Sequence, residues 1–195
     1  MPTLKLFAPS GDAWTHEVKF DGWRVQIHKT EGVVRLYSKR GHDFTNRFPT
    51  IVGAVALIRE GNVIIDGELT AFDNMGLPDF RALVAGEQLN LCVWCFDLLA
   101  IQKKDLRPLP YIERKARLDR IVGRVNDDRL RYSEQFDDPV SLMATCVDMK
   151  LEGIVSKRID APYRSGPSKD WIKVKTATWK ETNEWRGEFF SKRKR

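Results

Sequence analysis

Residues 23–38, WRVQIHKTEGVVRLYS, constrain the fold more than any other stretch of this chain. WRVQIHK and VVRLYS each alternate apolar and polar side chains with the period of two that marks a half-buried strand. Only TEG separates them. A connection that short joins antiparallel neighbours, because a parallel pair needs a crossover of a dozen residues or more. HEVKF (16–20) reads as a strand just upstream, and NVIIDGELTAFD (62–73), LNLCVWCFDLL (89–99), LRYSEQF (130–136), EGIVSKR (152–158) and DWIKVK (170–175) as further strands. Helical spacing marks RFPTIVGAVALIRE (47–60, with Ile51, Val52, Val55 and Ile58 on one side and Gly61-Asn62 as its stop) and YIERKARLDRIVGRV (111–125). DFRALVAG (79–86) is a short helix closed by Gly86. Asp138 caps PVSLMATCVDMK (139–150), with Pro139 at the first helical position. Residues 176–190 can form one more helix. Strands and helices are interspersed, yet neighbouring strands are joined by hairpin-length turns, so the pattern predicts an α+β fold of antiparallel sheets and not a doubly wound parallel sheet.

The 195 residues suffice for one domain with a real core, or for two small ones. No apolar run has the length of a membrane span, and the N-terminus lacks the basic and apolar regions of a secretory signal. A cytoplasmic location is expected. Cys92 and Cys95 form C-x-x-C, but within an alternating strand residues three apart point to opposite faces. A zinc knuckle or redox pair is therefore not expected, and the three cysteines read as buried thiols. Neither a Walker-type loop nor G-x-G-x-x-G is present. The net charge of +6 and the basic end FFSKRKR suit a polyanionic partner.

Five segments place ionisable groups in or beside apolar strand: VKFDGWR, IIDGEL, CFDLL, LEGIVSKR and WIKVK. Burying such groups costs several kcal/mol unless they are paired or bind something. One of them would be an edge-strand lysine or a plain turn. Five together point to a cleft in which lysines, an arginine and glutamates surround a charged ligand. Lys173 and Lys175 are two apart, so on a strand they project to one face. Near Lys19 they would disfavour its protonated form and free a nucleophilic amine. The remaining lysines would meet phosphate oxygens, and glutamates would suit a divalent cation. Phe96 offers a ring face to a base or is core. The combination describes attack by a lysine on a nucleotide α-phosphate.

KFDGWR at 19–24 resembles the nucleophile motif K-x-D-G-x-R of the covalent nucleotidyltransferases, which comprise ATP-dependent DNA ligases, RNA ligases and capping enzymes. YSKRG, DGEL, FDLL, EGIVSK and WIKVK are similar to the remaining motifs, in the family's order, from about Glu17 to Lys175. The likeness is greatest to the ligase domain of bacterial end-joining enzymes. It implies an ATP-grasp-like adenylation domain, with antiparallel sheets flanked by helices and a nucleotide cleft between them. It implies that Lys19 takes AMP from ATP, with Mg2+ or Mn2+ as cofactor, and passes it to a 5′-phosphate in nicked double-stranded DNA. A DNA-end-binding or repair protein is a further implied partner, and a membrane is not.

By the same resemblance, Asp21 would orient the nucleophile. Glu17 would reach toward the adenine edge, with Val18 also in the nucleotide site. Arg24 and Arg40 would contact ribose, phosphate or the nick. Glu68 would bind the ribose hydroxyl or the metal, and Phe96 would stack on adenine. Glu152 would help hold the cation. Lys173 and Lys175 would bind the α-phosphate as pyrophosphate leaves. Lys157 joins the nucleotide site, on a strand position that also permits a solvent-facing side chain. The family's choice of base is not set by these residues, so an RNA ligase or capping-type enzyme is the neighbouring alternative, and a non-catalytic DNA-binding module of the same fold another. Ligases of this family follow WIKVK with an OB fold. The twenty residues after Lys175 are too few for one and read as a basic helical tail over 177–195, so residues 1–176 are expected to be the adenylation domain.

Overall fold

The computed structural model describes residues 1–87 and 90–183. Along them run β1 (Pro2–Leu4), β2 (Trp14–Lys19), β3 (Trp23–Thr30), β4 (Val33–Ser38), α1 (Pro49–Ala56), β5 (Asn62–Ala71), α2 (Phe80–Ala85), β6 (Leu91–Ile101), β7 (Lys104–Asp105), α3 (Tyr111–Val122), β8 (Leu130–Tyr132), α4 (Pro139–Asp148), β9 (Gly153–Arg158), β10 (Ser168–Lys175) and α5 (Ala177–Thr182). They fall into two compact units. Of the described residues, the first takes 1–19, 135–158 and 166–183, and the second takes those within 20–134 and 159–165. Among the described residues no helix is long and apolar enough to cross a membrane.

In the second unit the sheet order is β4-β3-β5-β6-β7, with β8 pairing β6. All pairs are antiparallel except β6 with β8. The β3–β4 loop is Glu31-Gly32, with φ of 50° and 84°. Two successive positive φ values match the right-handed twist of the strands, which is why glycine stands there. The core of this unit is aliphatic and aromatic: Val25, Ile27, Leu36, Phe48, Ile51, Val55, Ile65, Leu69, Val93 and Leu98 are all buried. Asp79 caps α2 by accepting from the N–H groups of Arg81 and Ala82, and Gly86, at φ 82°, ends it.

The periodicity of 47–60 predicts a helix reaching the Gly61-Asn62 stop; the observed helix ends at Ala56. The reason is tertiary. The buried Lys29 ammonium of β3 donates to the carbonyls of Ala56, at 3.0 Å, and Ile58, taking over the helix's carbonyl end. Ile58 stays buried without being helical. LRYSEQF forms a strand only at Leu130–Tyr132. Of the helix expected over 176–190, Ala177–Thr182 is helical, and everything from residue 184 lies outside the described residues.

In the first unit the sheet order is β1-β10-β9-β2, antiparallel except for β1 with β10. α4 covers one face. Its Leu142 and Cys146 pack on Ile154 and Val174, joined by Ala8, Val18, Met143, Leu151 and Ile172. Asp138 accepts from the Val140 N–H and caps α4, with Pro139 in the first turn, as the sequence predicts. All three cysteines are buried and free, and burial raises the Cys92 thiol to about 12.

His16 lies on the α4 side of β2, fully buried. Its Nδ1 pairs with the Ser156 hydroxyl at 2.8 Å, and Nε2 has no hydrogen-bond partner among the described residues. Burial lowers its pKa, partly offset by the charges of Asp137 and Asp138. His28 in the second unit is lowered by burial too. A histidine with a depressed folded pKa binds fewer protons folded than unfolded, so stability must fall as pH drops through and below about 6.5. Urea midpoints should therefore decrease between pH 8 and pH 5.5, before carboxylates begin to titrate. His16→Gln should flatten that slope; an unchanged slope would contradict this account.

Candidate active site

β9 is the centre strand of the first unit's site, flanked by β2 and β10. The register sets three rows across the sheet: Lys19–Gly153–Lys175, Glu17–Val155–Lys173 and Thr15–Lys157–Trp171. Directly opposed residues of antiparallel strands share a face, so these rows form one surface. The intervening residues face α4. Val18 is one of them, and its side chain joins the core cluster, so its expected place in the nucleotide site is not available to the side chain.

The first row has no side chain at its middle position. Gly153 has φ 144°, and a Cβ there would stand 2.0 Å from the Val174 carbonyl oxygen. Only glycine fits. The two lysines flanking it converge on the preceding residue, Glu152. Lys19 Nζ lies 2.5 Å from Glu152 Oε2, and Lys175 Nζ lies 2.8 Å from Oε1. The Glu152 side chain is only 4% exposed, whereas the Lys19 and Lys175 side chains are 20% and 22% exposed. A buried carboxylate thus bridges the two amines, so the glutamate expected beside the lysines stands directly between Lys19 and Lys175. Hydrogen bonds from Thr176 to the carbonyls of Glu152 and Leu151, each 3.0 Å, hold this corner. Trp179 places its ring centroid 3.7 Å from Lys175 Nζ.

In the other rows Lys157 Nζ bonds Glu17 Oε1 at 2.8 Å, both side chains are buried, and the same ammonium sits 4.6 Å from the centroid of the Trp171 ring. Lys157 is thus buried, not solvent-facing, and the Glu17 carboxylate is ion-paired with it. A charge buried this deeply must be paired, and strand pairing across 140 residues supplies the partner. Lys173 shares the surface and is half-buried.

In the second unit Arg24 on β3 stands opposite Glu68 on β5, which stands opposite Trp94 on β6. Arg24 Nε donates to Asp66 Oδ1 at 3.0 Å and its Nη2 to Asp66 Oδ2, a two-pronged pair. Its guanidinium carbon is 5.6 Å from the Phe96 ring centroid. Burial works against the Arg24 charge, but the bonds and charge of Asp66 outweigh it and raise the pKa further. Asp21 lies in the partly buried link between β2 and β3. Gly22 is not the hairpin glycine its Asp-Gly pairing could suggest: a Cβ there would lie 2.1 Å from the Leu69 carbonyl oxygen, so close backbone approach requires it. Arg40 is exposed in the turn after β4, one residue past Lys39, whose N–H donates to the Arg24 carbonyl at 3.2 Å.

IIDGEL and CFDLL mark Asp66 and Asp97 as acids in apolar strand, but the sequence assigns no role to them or to Tyr163. Asp66 and Asp97 are buried and directly opposed across β5 and β6. Each has its own arginine, Arg24 for Asp66 and the fully buried Arg114 of α3 for Asp97, at 2.8 Å. Tyr163 completes the Asp66 cluster, its hydroxyl donating to Oδ2 at 2.8 Å. An acid inside an apolar strand signals a hidden base; which base is a long-range matter. Among the described residues no three His, Cys, Asp or Glu side chains cluster as a metal site. Mg2+ commonly takes one or two carboxylates together with substrate phosphates, and a single buried carboxylate such as Glu152 fits that habit.

Residues 3–175 match the model of the ATP dependent DNA ligase domain family. The chain is 38% identical over 172 residues to the multifunctional non-homologous end joining protein LigD of Pseudomonas aeruginosa, covering 86% of this chain and 20% of that protein. It is 39% identical over 166 residues to a DNA ligase of Methanococcus aeolicus, covering 77% and 30%. The chain thus spans a third or less of these relatives. Among solved structures, the ligase domain of M. tuberculosis LigD superposes with a TM-score of 0.76 at 26% identity, covering 89% of this chain and 60% of that one. A mycobacterial DNA ligase D complexed with ATP and MES gives 0.73 at 27%, with the same coverages.

Proposed function

Because this chain belongs to the ATP dependent DNA ligase domain family, we propose that Lys19 attacks the α-phosphate of ATP and carries AMP as a lysyl phosphoramidate. The observation that carries this reading is the corner at Gly153, where the Lys19 and Lys175 amines share one buried carboxylate. A nucleophile needs a neighbouring base and a way to meet developing negative charge, and both lie within hydrogen-bond reach here.

In the step proposed, a P–N bond forms between Lys19 Nζ and the α-phosphorus as the bond to pyrophosphate breaks. The proton lost by the amine passes to Glu152 Oε2, which already touches it. Lys175, and Lys173 on the same surface, stabilise negative charge on the phosphate oxygens. Glu152 is the residue that would hold Mg2+ or Mn2+, and the ion supplies polarisation of the phosphate. Asp21 orients the segment after the nucleophile. Arg24, Arg40, Glu68 and Phe96 of the second unit contact the nucleotide or the DNA end. The ion pair of Glu17 and Lys157 keeps β2 and β9 in register beneath Lys19. AMP then passes to a 5′-phosphate of nicked DNA as the Lys19 P–N bond breaks, and attack by the 3′-hydroxyl on that phosphate seals the strand and releases AMP. Residues 1–176 act as the adenylation domain; the basic segment from 177 adds phosphate attraction.

Intact mass measured after incubation with ATP and Mg2+ tests the reading. The wild-type chain should gain one AMP, and Lys19→Ala none. GTP in place of ATP should give little adduct. A wild type that gains no mass would refute the proposal and favour a non-catalytic module.

A further inference from the structure

The segment Ile159–Ser165 belongs with the second unit, though the strands on either side of it belong to the first. Several bonds tie it there. The Ile112 N–H donates to the Ile159 carbonyl at 3.0 Å, Arg114 Nη1 to the Ala161 carbonyl at 3.1 Å, and the Tyr163 N–H to the Arg107 carbonyl at 2.8 Å. The Tyr163 side chain then reaches Asp66 and Arg24 together. Its hydroxyl donates to Asp66 Oδ2 at 2.8 Å and accepts from Arg24 Nη2 at 3.0 Å. Three groups thus close a ring of hydrogen bonds in which each touches the other two.

We infer that Tyr163 is a positioning residue that fixes the Arg24 guanidinium in the plane and direction from which it meets the nucleotide. The inference rests on the nucleotide-contact role proposed for Arg24. The carboxylate alone aligns the Nε and Nη2 edge of the guanidinium, but such a pair can still pivot about the acid's own side chain. A third contact from a backbone-anchored tyrosine removes that freedom. The guanidinium is held at the same time 5.6 Å from the centroid of the Phe96 ring. Burial, then the charge of Asp66, push the Tyr163 phenol far up, so the hydroxyl remains a donor over the working pH range. A geometry set in advance lowers the ordering cost of binding, which is where a positioning residue shows its effect.

Tyr163→Phe removes the hydroxyl and leaves the ring. Binding of an ATP analogue with a methylene bridge between the α- and β-phosphates, followed by calorimetry, reads the effect without chemistry. The dissociation constant should rise about tenfold, the size of one hydrogen bond to a charged group. The KM for ATP in lysyl-AMP formation should rise in step, with the saturated rate and the thermal midpoint little changed. Arg24→Lys should weaken binding at least as much, and Tyr163→Phe combined with Arg24→Lys should be no worse than Arg24→Lys alone. Unaltered analogue affinity in Tyr163→Phe would overturn the inference, as would a lowered thermal midpoint with normal affinity, or losses that multiply in the double variant. A wild type that binds the analogue yet forms no lysyl-AMP defeats the catalytic reading and leaves this comparison intact. A wild type that binds no analogue defeats both.

Discussion

Gly153→Ala should be the most damaging single-atom-scale change in this chain, lowering the unfolding free energy by roughly 3–5 kcal/mol. Two effects add. The new Cβ would sit 2.0 Å from the Val174 carbonyl oxygen and 2.8 Å from the Lys175 Cα, atoms of the neighbouring strand's backbone that cannot swing aside. The φ of 144° is also a conformation that L side chains rarely adopt. β9 could relieve the clash only by parting from β10, and Lys175 would then leave Glu152. Urea unfolding followed by circular dichroism gives the stability, and mass spectrometry the adduct. A variant with normal stability would show that β9 and β10 do not pair as closely as described. Gly11→Ala is the natural control. It also lies at positive φ, 97°, but has nothing within 4 Å of its would-be Cβ.

Glu152→Gln should do the reverse, sparing the fold and removing the chemistry. The amide keeps the size and shape of the acid but gives up its charge and proton affinity. Lys19 and Lys175 are partly exposed, so water takes over much of their solvation and stability changes little. Loss of a general base costs about 10²–10⁴ in rate, and loss of the carboxylate removes the proposed cation ligand as well. Single-turnover lysyl-AMP formation should therefore fall by at least that factor while the thermal midpoint stays close to the parent's. If the glutamine variant reacts at the parental rate, Glu152 is neither base nor cation ligand and the proposed step is wrong. The contrast between adjacent positions separates two meanings of a motif. In EGIVSK the glycine serves packing, and the role proposed for the glutamate is chemical.

A similar division runs through the other motifs. Gly22 and Gly67 are close-approach positions, with built Cβ atoms 2.1 Å from the Leu69 carbonyl oxygen and 2.6 Å from Val93 Cγ1. Their neighbours Lys19, Arg24 and Glu68 carry charge. Asp97 of FDLL holds Arg114, which holds the Leu109 and Ala161 carbonyls in turn, so this acid is a structural tie. Truncating either partner of such a pair would strand the other charge in the core.

Much of this was legible in the residues alone because it is local. A period of two puts Lys173 and Lys175 on one face whatever strand pairs with theirs. Caps at Gly86 and Asp138 act within one helical turn, and the Glu31-Gly32 turn needs only its own backbone. The ordered motifs named the chemistry. The tertiary structure decided which charges meet. Nothing near Glu17 announces Lys157, nothing near Lys29 announces the end of α1, and Tyr163 has no local mark at all. Each of those pairings depends on a register or an anchoring bond between segments far apart in the chain, and side-chain patterning within a segment carries no information about the strand that will lie beside it.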